Sequence, residues 1–429
     1  MTGAMYAGIA GLKTHMQNLN VIGNNIANIN TDGYKAGRSV FQTALYTQIR
    51  GGSDGSTTVG ARNPAQLGYG VAMGTVDIDM STGSFKPTGV STDCMIDGDG
   101  FFLYGDKETA NMIDPRDPST FTALTLGRVG DIDFKSDGYL SDYSGNVVYG
   151  FLCIGVHTEE TIAGAPEGTK IGDPIFSDQL VPIRSPRMET RLVTQVDGKE
   201  REVRKGTGAD ADKYFLVDEN GAVTTTEVDK ENITEIKTVR YPTAYEDENH
   251  NPALPTYDED GNPVEGINSI RLKDYDSDMP FAQLDTISFD GDTGLITATT
   301  KDTEQQIVIG MFAIGNVTNP NGVTQVSATQ YKAGAGSGDL TITTLGNAGA
   351  DVGIEFVNGS LHQDAALGDR ARVSSAGTTK IITGGLEMSK TDLATEIANM
   401  ITTQRGYQAN TRIITVTDSM LEELVNMKR

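Results

Sequence analysis

Leu393, Met400, Tyr407, Ile414 and Leu421 recur every seven residues near the end of this 429-residue chain. Ile397, Ile401, Ile413, Met420, Leu424 and Val425 widen that line into a stripe. A seven-residue apolar repeat is the seam of a helix that meets another helix. Asp392 near the start and Lys428 and Arg429 at the end suit the helix macrodipole. About 37 residues at roughly 1.5 Å each make a rod of about 55 Å, which needs a partner along its length. The beginning of the chain supplies one. Met5, Leu12, Leu19 and Ile26 share the period, with Ile9 and Met16 beside them, and predict a helix over residues 4–28. Two matching amphipathic helices therefore bracket a long interior.

That interior reads differently. VAMGTVDIDM alternates from Val71, CMIDGDGFFLYGD is an apolar strand broken by a Gly-Asp-Gly turn, and LDTISFDGDTGLITATT is a hairpin signal. The abundance of glycine, 50 residues, suits a turn-rich β body. The expected fold is therefore multidomain and mainly β. Its N- and C-terminal α-helices pair as a coiled-coil-like inner domain, and antiparallel β-sandwich or barrel-like middle and outer domains follow. The inner domain takes residues 1–33 and 386–429. Gly/Ser/Thr-rich linkers take 34–70 and 340–385, a middle β domain 71–151 and 281–339, and a more charged outer β domain 152–280.

Charge narrows the functions. There are 34 basic against 58 acidic residues, a net −24, and nearly all of the excess lies between the helical ends. An acidic body repels nucleic acid and anionic membranes, so neither is an expected partner. No apolar run approaches the ~20 residues of a membrane helix. No secretory signal pattern opens the chain, which by itself suggests the cytoplasm unless export uses a route without cleavage. Two cysteines, Cys94 and Cys153, make no disulfide framework.

No catalytic, cofactor-binding or metal-ligating set is expected. The stretch from Asp93 has glycine at position 6 of an EF-hand-like loop, at Gly98. It carries Met95 and Tyr104 where that loop needs acids, so Asx turns are the better reading. The turn around Asp258 and Asp260 places its glycine too early. His15, His157, His250 and His362 form no metal-binding pair, and neither a nucleophile elbow nor a phosphate loop occurs.

Self-assembly remains. Asn24, Asn25, Asn28 and Asn30 crowd the end of the first helix, more than a cap needs, and suggest a hydrogen-bonding surface toward other subunits. Gly406 inside the last helix costs about 1 kcal/mol relative to alanine, tolerable where a neighbour's backbone comes close. The candidate assembly residues are Met5, Ile9, Leu12, Met16, Leu19, Asn24, Asn25, Ile26 and Asn28 at one end. At the other they are Leu393, Ile397, Met400, Ile401, Gly406, Tyr407, Ile414, Leu421 and Leu424.

Long segments then resemble one family. AGIAGLKTHMQNLNVIGNNIANINTDGYKAGRSVF at the start and SKTDLATEIANMITTQRGYQANTRIITVTDSMLEELVNMKR at the end resemble the terminal signatures of the bacterial flagellar axial proteins, the rod and hook family. GTVDIDMSTGSFKPTG, MIDGDGFFLYGD and IGMFAIGNVTNPNGVTQV resemble its body segments. The resemblance implies a helical homopolymer of subunits, exported without a cleaved signal through the flagellar export apparatus. These subunits would form the extracellular hook, between rod and filament, and meet rod, hook-cap and hook–filament junction proteins. Residues 152–280 look like the outer domain that rod proteins generally lack, so hook is preferred to distal rod. An extracellular adhesin or enzyme is the competing class.

Overall fold

The structure, a computed structural model, describes residues 2–427 apart from 53, 55–59, 108–112, 114–120, 122, 157–171, 173, 177–179, 197–198, 207–212, 218–222, 242–278, 346–354, 358–359 and 363–378. The turn at Asp258 and Asp260, His157 and His250 lie outside the described residues. The chain forms two compact units. One comprises Met1–Lys86, Asn319–Gly338 and Glu387–Arg429; the other comprises Pro87–Thr318 and Asp339–Leu386. The fold is mainly β, with the two terminal helices packed together, as the sequence predicts.

The first unit is built on helices α1 (Thr2–Ala27) and α2 (Leu393–Met427). Asp392 caps α2: it accepts the Ala394 N–H at 3.1 Å and the Thr395 hydroxyl at 2.6 Å. Those bonds, the Thr395 hydroxyl foremost, hold its carboxyl below the usual range. Neither helix is long and apolar enough to cross a membrane. A two-stranded antiparallel ribbon lies along α1, with Gly37–Thr43 against Val71–Ile78 in a register running from Gly37↔Ile78 to Thr43↔Val71. The Thr14 hydroxyl donates to the Val71 carbonyl at 3.2 Å. Gly70 turns the chain into this ribbon at φ +95°, and a Cβ there would stand 2.9 Å from the Ala10 methyl. Only glycine serves both demands. Tyr46–Arg50 pairs with Ala65–Gly68 in a second hairpin. Residues 34–70, read as linker, thus hold three strands. Their side chains are mostly exposed, so no inside–outside alternation marks them in the sequence.

The second unit is organised by the strand Val147–Val156, whose near-continuous apolar run is buried on both faces. One edge pairs antiparallel first with Phe101–Gly105 and then with Gln306–Phe312, and Val181–Pro182 pairs on the other edge. The expected hairpin follows outward, Leu284–Phe289 with Leu295–Thr300. Phe102, Phe289 and Phe312 meet in the core, with ring centroids 5.6 Å and 5.1 Å apart about Phe312. The Gly98-Asp99-Gly100 turn has both glycines at positive φ, 119° and 122°. The buried Arg128 guanidinium binds the Ile96 and Gly98 carbonyls at 3.2 Å and 2.7 Å and so fastens that turn. Within residues 152–280, five antiparallel strands form a separate sheet. Its order is Val223–Val228, Tyr214–Val217, Lys199–Lys205, Arg187–Val196, Ile233–Arg240. Met188 and Val203 are buried on one face of it, while Glu202 and Arg204 pair at 3.0 Å.

Candidate self-assembly site

The helices run antiparallel. Asn25 faces Glu396 at 3.3 Å and Asn18 faces Thr403 at 2.9 Å. His15 packs on Gly406, and Gly11 lies against Asn410. Gly8 lies against Ile414. The residue numbers fall on one helix as they rise on the other, at spacings of three and four. This is a heptad seam, but its chemistry differs from the sequence expectation. On α2 the half-buried Met400, Tyr407 and Ile414 alternate with Glu396, Thr403, Asn410 and Thr417. On α1 the seam holds Gly8, Gly11, His15, Asn18, Ile22 and Asn25, and Leu12, Leu19 and Ile26 flank it half-buried. Small residues bring the two backbones close. A Cβ on Gly11 would stand 2.6 Å from the Asn410 amide, and one on Gly406 would stand 2.8 Å from the His15 ring. Gly406 therefore makes room for a side chain of the chain's own α1.

The remaining stripe residues stay exposed, although Ile413 also lies against Gly8. Ile397, Ile401, Ile413, Met420 and Leu424 are each 42% to 49% exposed, and Leu393 and Leu421 are exposed with them. On α1, Met5, Ile9 and Met16 are likewise exposed. Pairing within one chain thus leaves an apolar surface along both helices. A surface of this kind marks an interaction site.

The asparagines divide. Asn25 is buried and acts as a strand residue would: its amide donates to the Gly37 carbonyl at 2.8 Å and its oxygen accepts the Gly37 N–H at 3.0 Å. The Tyr34 hydroxyl also donates to Asn25, at 3.1 Å. Asn28 reaches back to Asn24 at 2.9 Å and 3.0 Å, which closes the helix end. Asn24 is exposed and donates to the Tyr34 hydroxyl at 3.2 Å. Burial, and then the charge of Glu396, raise the Tyr34 phenol above its ordinary range.

Sequence reasoning missed the fastening beneath this cluster. Lys35 and Glu387 form an ion pair at 2.7 Å with side chains 1% and 0% exposed. Lys35 also donates to the Ser81 carbonyl at 2.8 Å, and Glu387 accepts the Gly83 N–H at 2.6 Å. A signal existed. In an antiparallel pair, a lysine just past the end of α1 lies beside an acid just before the start of α2.

A profile described as flagella basal body rod protein matches residues 5–35, and one described as flagellar basal body rod FlgEFG protein C-terminal matches residues 382–427. These are the two helices with the strands and turns that fasten them. The flagellar hook protein FlgE of Borreliella burgdorferi is 26% identical over 100% of both chains. The chain belongs to the flagellar hook and rod family. Among other relatives, the hook protein FlgE of Salmonella typhimurium is 24% identical over 98% of both chains, and the basal-body rod protein FlgG of Bacillus subtilis is 24% identical over 100% of both. Within this flagellar family the asparagine-rich end of α1 and the heptads of α2 fall inside the two matched segments.

Proposed function

We propose that the chain is the structural subunit of a flagellar hook, polymerising into a tube that carries torque from rod to filament. The observation that carries this reading is the apolar surface left along α1 and α2 after they have paired. Copies of the same chain cover it through heterologous contacts that do not close, which build a helical polymer. Met5, Ile9, Met16, Leu393, Ile397, Ile401, Leu421 and Leu424 are the residues that meet neighbours. Met400, Tyr407, Gly406, Ile414, Leu12, Leu19 and Ile26 set the helix pair, and Asn25 and Asn28 shape its base. The role is structural and uses no cofactor. The partners are rod, cap and junction proteins, and the export apparatus that delivers the subunit outside the cell without cleavage.

A distal rod subunit is the second reading, favoured by the full-length similarity to a rod protein. The separate five-stranded sheet within residues 152–280 supports the hook, since rod proteins of the resembled family generally lack such a domain. Electron microscopy of concentrated protein tests both. Curved, bendable tubes are expected, and straight rigid ones favour the rod. Deleting Asp392–Arg429 is expected to abolish them; tubes that persist refute the role given to α2.

A further inference from the structure

The outward face of α1 is unlike the rest of the chain. Tyr6 is 68% exposed, and Met5, Ile9 and Met16 are exposed beside it. Lys13 is exposed on the same face, seven residues from Tyr6 and opposite the Gly8–Gly11–His15 seam. It has no acceptor among the described residues. No Asp or Glu occurs anywhere in α1. This face is therefore apolar with a single unanswered positive charge.

Toward the other end of the helix pair a cleft of about 1140 Å³ opens between α1, the ribbon and the first turns of α2. It exceeds the roughly 300–1,000 Å³ of small-molecule pockets and is of a size to take part of a helix face. Val21, Phe41, Ile78 and Met80 line it. Among its charged lining residues Asp77, Asp79, Asp392 and Glu396 outnumber Arg38 and Lys390. Arg38 pairs with Asp77 at 3.6 Å and Lys390 with Asp79 at 3.7 Å, so the acidic excess rests on Asp392 and Glu396. Asp392 is engaged as the cap of α2. Glu396 accepts the Asn25 amide through Oε1, and its Oε2 has no partner among the described residues.

The two surfaces complement each other in charge and polarity, yet one chain cannot join them. His15, Asn18, Val21 and Ile22 of α1 form a wall of the cleft, and Tyr6 and Lys13 face outward from that same helix. Only a second copy can bring the one to the other.

We propose that the cleft at the head of α2 receives the outward face of α1 from a second copy. Lys13 meets the cleft's acidic side chains, and Tyr6 and Ile9 meet its apolar ones. Donor and acceptor surfaces differ, so each subunit added presents a new cleft and the row continues. This assignment rests on the tube-forming reading and names one of its contacts.

Proteins that each carry one added cysteine, mixed together, test it. One full-length batch carries Lys13→Cys and the other Asp77→Cys; the native Cys94 and Cys153 are buried and do not compete. A disulfide-linked dimer is expected under mild oxidation when the two are co-assembled, and not from either batch alone. Lys13→Glu, an exposed change, is expected to raise the minimum concentration for tubes at least tenfold, and adding Asp77→Lys to restore part of it. Wild-type tubes with no mixed dimer, or Lys13→Glu tubes at the wild-type concentration, overturn the contact. A dimer from the Lys13→Cys batch alone means that two α1 faces meet, which also overturns it. Failure of the wild type to form any tube overturns the subunit reading itself.

Discussion

Replacing Lys35 by methionine tests what holds the two ends of the chain together. The substitution keeps the aliphatic stem and removes the ammonium, so Glu387 stays buried without its counter-charge. Breaking a buried pair by removing one partner costs about 3–5 kcal/mol. The control is Lys86→Met, because Lys86 pairs with Asp32 at 3.1 Å with side chains 47% and 26% exposed. An exposed pair of that kind contributes at most about 1 kcal/mol. With a urea slope of about 2 kcal/mol per molar, the Lys35 change lowers the unfolding midpoint by about 2 M and the Lys86 change by about 0.5 M or less. Far-ultraviolet circular dichroism follows the transition, since α1 and α2 carry the helical signal. The double variant Lys35→Met with Glu387→Leu is expected to recover most of the loss, because replacing both partners by apolar groups is often near neutral. If Lys35→Met costs no more than Lys86→Met, the pair does not fasten the unit and the reasoning fails.

Three further outcomes follow from the same unit. Asn25→Ala removes four hydrogen bonds at about 1 kcal/mol each, so a loss of about 3–4 kcal/mol is expected, with faster amide exchange at Gly37; unchanged exchange there contradicts the ladder role. Gly70→Ala places a methyl against Ala10 at a positive φ, and a loss of about 1–3 kcal/mol is expected in urea titrations, with no loss counting against the close approach. Burial raises the Tyr34 phenol above its ordinary 10.0, so its contribution is intact below pH 10 and is lost as pH rises through the folded value. Tyr34→Phe should therefore lose less stability above pH 10 than the wild type, and an equal alkaline loss refutes that assignment.

The helices, their pairing and the β interior were legible because period seven and alternation with turn residues survive in the residues themselves. The hairpin at Leu284–Thr300 and the buried run of Val147–Val156 carry such patterns. The apolar repeat predicts the pairing of α1 with α2 and a surface for other subunits, but not which residues pack closest. Here Gly8, Gly11 and Gly406 pack closest, and glycine leaves no mark in a hydrophobic pattern. The strands within residues 34–70 carry no such pattern because they are mostly exposed and do not alternate. Lys35 and Glu387 are charged and buried, and a single sequence shows a charge without its surroundings. Asn25 was visible as an asparagine, but its pairing with Gly37 depends on a backbone that arrives only after the turn at Gly33.

The pair between Lys35 and Glu387 also sets an order of events. Its partners stand 352 residues apart, and α1 finds its seam only in the residues that follow Glu387. A chain emerging first residue first, from a ribosome or through a narrow channel, brings out α1 long before anything can hold it. The second unit can complete most of its sheet in that interval, since the strands from Phe101 to Phe312 are already present. Contacts across so long a stretch form late, because loop closure has to be met before they give anything back. The unit that joins subunits is thereby the last to take shape, and α1 becomes competent to join others only once the final helix has arrived.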